Sequence, residues 1–209
     1  MRLVPPYSSL QQAMEALDNG GRFYHWASHA RDELVTAAEL RKEAKILARD
    51  NISAMFFAVA TSKLSDQDRA RLNAKLADDA REVMAKFGPR RLSPSAFQDS
   101  AEQKGSYLLE GEVRVVEDEA RLGFVPVTTM VNNVPMTTST PVGKLYTVYE
   151  LDGVANCEVL VSKRCDLLSG RVLFAGGLKQ CSIDKKRFAE SKVPEFWRLD
   201  VGYASVADS

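Results

Sequence analysis

Apolar residues recur at helical spacing through the first 87 residues and at strand spacing from Tyr107 onward, so the period of the pattern changes once along the chain. Leu10, Met14 and Leu17 mark one face of a short helix, with Ser8 and Ser9 as candidate N-caps and Gly20-Gly21 as its stop. Phe23, Trp26, Ala27, Ala30 and Leu34 keep helical spacing and predict a second helix from Phe23 to Leu34. Thr36-Ala37-Ala38-Glu39 has the form of a capping box, opening a helix that turns Leu40, Ala44 and Leu47 inward. Ile52, Met55, Phe56 and Val59 repeat at i, i+3, i+4 and i+7 in the least polar stretch of this half, which predicts the central buried helix. Ser65 with Asp68 forms another cap. Leu72, Leu76, Ala80, Val83 and Phe87 then read as one long amphipathic helix stopped by Gly88-Pro89.

Arg90 to Gly105 is polar, contains Ser93-Pro94-Ser95, and reads as a linker between a helical region (1–89) and a β region (106–209). Tyr107, Leu109, Gly111, Val113 and Val115 alternate with Glu110, Glu112 and Arg114, a strand with one wet face, and Glu117-Asp118-Glu119 reads as its turn. Asp152-Gly153 suits a type I′ hairpin, whose two-residue loop sets Val148 opposite Cys157 and Tyr146 opposite Val159. Arg171 to Ala175 supplies a further strand before Gly176-Gly177, while the tail from Ser182 carries no clear period. Helices followed by consecutive antiparallel strands predict an α+β protein: a helical bundle, then an antiparallel sheet, sandwich or barrel. Without strand-helix-strand alternation, a Rossmann or P-loop enzyme is not expected.

Composition narrows the partners. Lys+Arg 28 against Asp+Glu 28 leaves no net charge, so no whole-molecule field draws the chain to nucleic acid or to an anionic membrane. No stretch approaches the ~20 apolar residues of a bilayer span, and the N-terminus has no signal-like h-region. Cys157, Cys165 and Cys181 are odd in number and form no C-x-x-C pair, which suits a reducing compartment and makes the cytoplasm the expected location.

His25 and His29 stand four apart on the expected second helix, with Asp32 and Glu33 a turn further on. On one helix face, two imidazoles and a carboxylate suit Zn²⁺ or Fe²⁺, although no H-E-x-x-H is present and a further ligand would have to come from elsewhere. Two ordinary surface histidines beside Trp26 is the plainer reading. Cys157 falls on an apolar strand face and reads as core. Lys163-Arg164, Lys179 and Lys185-Lys186-Arg187 with neighbouring aromatics are ingredients of a five-stranded barrel that binds single strands. The acids among them favour a solvated surface, so nucleic acid is not the expected partner. Thr36-x-x-Glu39-Leu40 followed by Ile52-Ser53 lacks the short turn of a DNA-reading helix pair.

The run from Leu122 to Gly143 is the most unusual feature, because it holds no charged residue in a chain that is 27% charged. Val125-Pro126-Val127-Thr128-Thr129 is echoed by Val134-Pro135-Met136-Thr137-Thr138, with Asn132-Asn133 midway as a turn. Folding there pairs Val131 with Val134, Thr129 with Met136 and Val127 with Thr138. One face then carries Val125, Val127, Val131, Val134 and Met136, and the other Phe124, Met130 and Pro135. Such a ribbon is covered either by its own domain or by another chain. The sequence thus points to a non-catalytic binding or assembly protein, a homo-oligomer or the partner of another protein through this hairpin; the alternative is a metal-dependent enzyme using the His25/His29 site.

Overall fold

The chain is seen in a computed structural model that describes residues 1–20, 31–45, 48–92, 105–131, 134–152, 157–162, 167–182 and 195–206. Among these, the helices are α1 (Leu10–Leu17), α2 (Ala37–Ala44), α3 (Asp50–Ala60), α4 (Asp66–Ala74) and α5 (Asp78–Phe87). The strands are β1 (Arg2–Leu3), β2 (Arg90–Arg91), β3 (Gly105–Val131), β4 (Val134–Leu151), β5 (Cys157–Ser162), β6 (Arg171–Ser182) and β7 (Glu195–Val206). Helices come first and a mostly antiparallel sheet follows, which is the expected α+β order.

Caps place the helices where the sequence predicts them. Ser9 accepts from the Gln12 amide to start α1, and Ser65 accepts from the Asp68 amide to start α4. The Thr36/Glu39 box is complete, with Glu39 also accepting from the Thr36 hydroxyl at 2.9 Å. One Glu39 oxygen serves the box; the other accepts from the Asn19 and Gly20 amides at 2.9 and 2.8 Å, so this buried carboxylate also anchors the chain after α1. In α3, Met55, Phe56 and Val59 are buried as expected.

Two helical expectations are corrected. The long helix is two, α4 and α5, because Leu76 leaves the helix to bridge Val35: the Val35 amide donates to Lys75 O and the Ala77 amide to Val35 O. Arg31 to Leu34 is not helical, and Glu33 there takes φ 62°; the rest of the expected second helix lies outside the described residues.

Strands β3, β4, β5, β7 and β6 pair in that order, and β6 returns to β3, which closes a five-stranded barrel. All contacts on this ring are antiparallel except β5 with β7. This is the strand connectivity of the OB-fold, a Greek-key barrel. Its interior holds Tyr107, Leu109, Tyr149, Leu151, Cys157, Val159, Val161, Phe174 and Leu199, all buried. The Tyr149 hydroxyl accepts from the Leu168 amide at 3.1 Å and so ties the β5–β6 connection to the barrel interior.

The register of β4 with β5 differs from the expected hairpin. Val148 faces Leu160, Tyr149 faces Val159 and Tyr146 faces Ser162, three residues away from the alignment a two-residue Asp152-Gly153 turn imposes. An odd shift exchanges faces, so Tyr149 and Leu151 join Cys157 and Val159 inside. Barrel filling selects this alignment, since the other would turn two large buried side chains outward. Glu117-Asp118-Glu119 is likewise not a turn: it lies within β3, just past a bulge between Val115 and Glu117. Arg90-Arg91, expected in the linker, pairs with β3, and β6 runs through Gly176-Gly177 to Ser182.

The helices cover one side of the barrel. Ala175 and Tyr203 share a core with α1, α2 and α3, and a bulge at Gly202 moves Tyr203 to the helix side while Leu199 and Val201 stay inside. The Tyr203 hydroxyl donates to Ala44 O at 2.9 Å, and its ring meets Phe56 edge-on at 5.7 Å. Arg2 stacks over the other partner, Phe56, at 5.6 Å and donates to Glu43 O. Burial holds the Tyr7 phenol well above its ordinary pKa and raises that of Tyr203.

Candidate functional site

Beyond the barrel, β3 and β4 continue as a pair with no third strand alongside among the described residues. β6 leaves β3 at Glu112 and β5 leaves β4 at Tyr146. Twelve residue pairs follow, from Ala120–Leu145 to Val131–Val134. At about 3.3 Å per residue the ribbon is roughly 40 Å long. The three pairings expected from the sequence, Val131–Val134, Thr129–Met136 and Val127–Thr138, are all present. Val125, Val127, Val131, Val134 and Met136 occupy one phase of the ladder, and Phe124, Met130 and Pro135 the other.

The outer part of the ribbon is open on both sides where its side chains are described. Met136 in one phase is 51% exposed and Met130 in the other is 68% exposed. Thr128, Thr129, Pro135, Thr137 and Thr138 are exposed as well. The uncharged run is bounded by Arg121 and Lys144, which face each other across the ladder. A two-stranded ribbon is marginally stable in water by itself, and the part of this one whose side chains are described carries no charge.

The prolines fit this ladder in one way only. Pro126, Pro135 and Pro141 face Ser139, Met130 and Phe124, all in the phase opposite to the closing Val131–Val134 pair. In an antiparallel ladder one phase exchanges both hydrogen bonds and the other points its amides outward. A proline has no N–H, so all three sit where no ladder bond is lost. Side chains approach more closely in this outward phase, and the Thr128 and Thr137 hydroxyls meet at 3.0 Å there.

The remaining candidates are placed as follows. His25 and His29 lie outside the described residues. Asp32 accepts from the Leu34 amide, and Glu33 is paired with Lys75 at 2.6 Å, which lowers its carboxyl pKa through the hydrogen bond and the positive charge. The Glu33 amide donates to one Asp18 oxygen, while the other Asp18 oxygen is buried without a hydrogen-bond partner among the described residues. Among the described residues, no three His, Cys, Asp or Glu side chains converge as a metal site would require. Cys157 is buried in the barrel; Cys165 lies outside the described residues.

On the barrel surface four of the described cations meet acids, while Arg90 lies over the Tyr107 ring and donates to its hydroxyl. Arg91 and Arg171 both bind Glu110, Arg114 binds Glu150, and Lys179 binds Asp200. The hydrogen bond from Arg171, with Arg91 beside it, holds the Glu110 carboxyl below its usual range. Lys163-Arg164 and Lys185-Lys186-Arg187 lie outside the described residues. No helix among the described residues is long and apolar enough to cross a membrane.

The sequence did not indicate that the ribbon is an extension of the barrel wall, starting at Ala120. The single polar-apolar alternation before Val115 and the charged run 117–119 concealed that continuity. A scan against protein-family models finds no match, and a search of curated proteins finds no similar sequence.

Proposed function

We propose that this chain is a non-catalytic binding or assembly protein that associates with itself through the ribbon of residues 122–143. The observation that carries this reading is the two-stranded extension beyond the barrel, with Met130 and Met136 exposed on opposite faces. A surface free of charge can meet its own copy without like-charge repulsion, which suits the self-complementary contact of a two-fold dimer. The test is the mass of the full chain in solution. Val127→Lys with Met136→Glu should give a smaller species that keeps its β circular dichroism, and a wild-type chain that sediments as a monomer near ~100 μM would sink the reading.

The closed barrel supports a second reading, a surface for single-stranded nucleic acid, since barrels of this connectivity bind oligonucleotides through the faces of their second and third strands and adjoining loops. Connectivity alone is a weak warrant, and Arg91, Arg114, Arg171 and Lys179 on the barrel are each paired with a carboxylate. Fluorescence anisotropy of a labelled oligothymidylate at low salt discriminates the two. A salt-sensitive rise would favour this reading, and no change would remove it.

A further inference from the structure

We infer that the ribbon docks on a second copy of this chain by its faces and not by adding a strand at its edge, an inference that rests on the self-association proposed above. Edge addition needs a row of outward amides. On the β4 edge the outward positions are 135, 137, 139, 141 and 143, and two of them, Pro135 and Pro141, have no N–H. On the β3 edge Pro126 interrupts the row midway between Leu122 and Met130. Prolines at outward positions blunt an edge while leaving the internal ladder whole. A two-fold pairing of like edges would meet each gap twice, once from each copy.

The faces have the opposite character. Neither contains a charge over twelve pairs except at Arg121 and Lys144 near the base, and each presents an exposed methionine near the tip. A two-stranded face about 40 Å long and about 10 Å wide offers roughly 400 Å², about half of the ~800 Å² per partner of a stable association. Both faces are therefore engaged, one against the second ribbon and the other against the body of that copy. Thioether side chains, unbranched and polarizable, adapt to both surfaces.

Sedimentation velocity of the full chain tests the inference through two variants, each checked for fold by circular dichroism. Met130→Glu and Met136→Glu place a charge on opposite faces, and each should shift the population to the smaller species. An oligomer that survives either glutamate would overturn the use of both faces. Hydrogen exchange on the wild-type chain separates face docking from edge pairing without relying on a variant fold. The Thr128, Thr137 and Ser139 amides should exchange in the oligomer within about tenfold of their rates in a dilute, dissociated sample, whereas protection beyond about a hundredfold would show edge pairing. A wild-type monomer at every concentration would instead defeat the self-association reading itself.

Discussion

β3 and β4 pass through two regions that share one backbone geometry and little else. In the barrel wall Tyr107, Leu109, Tyr149 and Leu151 point into a closed interior, and each strand has neighbours on both edges. A dozen residues further on the same two strands are paired, among the described residues, only with each other, and Met130 and Met136 stand in solvent. Regular pairing is thus common to both regions, while the interior side chains of the wall are buried and the described ones near the ribbon tip are exposed. Closure and a third strand, more than β propensity, hold a β structure together.

The largest effect should come from the buried side of this contrast. Phe174→Ala opens a cavity beside Tyr149, whose ring lies 6.2 Å away, and should cost about 3–5 kcal/mol in urea unfolding. A loss below about 1 kcal/mol would mean that the barrel interior is not the stabilising core. Glu39→Ala leaves the Asn19, Gly20 and Thr36 amides without their acceptor and should cost about 2–3 kcal/mol by the same measurement.

At the ribbon the sign of the comparison reverses. Met136→Ser in the dissociated chain should change stability by less than about 0.5 kcal/mol, because the side chain is largely in water already. A cost as large as that of Phe174→Ala would place Met136 in a core and erase the distinction. The smallest effect concerns Glu110, on the outer wall between the two regions. Its folded pKa lies below the unfolded value, so its contribution is present above about pH 4.3 and is lost as pH falls through the folded pKa. Glu110→Gln should therefore be less stable than wild type at pH 7, with the difference between their urea midpoints narrowing by pH 3. A difference independent of pH would remove the Arg171 and Arg91 contacts as its cause.

What was legible in the sequence was local. The Thr36/Glu39 box, the Ser9 and Ser65 caps and the Val131–Val134 hairpin each depend on residues a few positions apart, and each is found. What was not legible was set by distant partners. Leu76 breaks a continuous helical pattern because Val35 claims its backbone. The Asp152-Gly153 turn has the right chemistry for a tight hairpin, yet the need to bury Tyr149 and Leu151 with Cys157 and Val159 sets another register. The parallel contact of β5 with β7 closes the barrel and has no local signature at all, and β7 itself showed no period because the bulge at Gly202 switches its faces midway. For the candidate site, the absence of charge marked the ribbon, but its exposure became visible only once the barrel ended at Tyr146.

The bulge between Val115 and Glu117 sits where the barrel wall gives way to the ribbon, and it makes the ribbon a lever. A rotation of about 5° at that point would sweep a tip about 50 Å away through roughly 4 Å, a little over one residue of strand. Small adjustments of twist in the wall would be magnified at the far end into a displacement of about one residue. Force applied to the tip returns along the same arm, with the two strands of the barrel as its fulcrum.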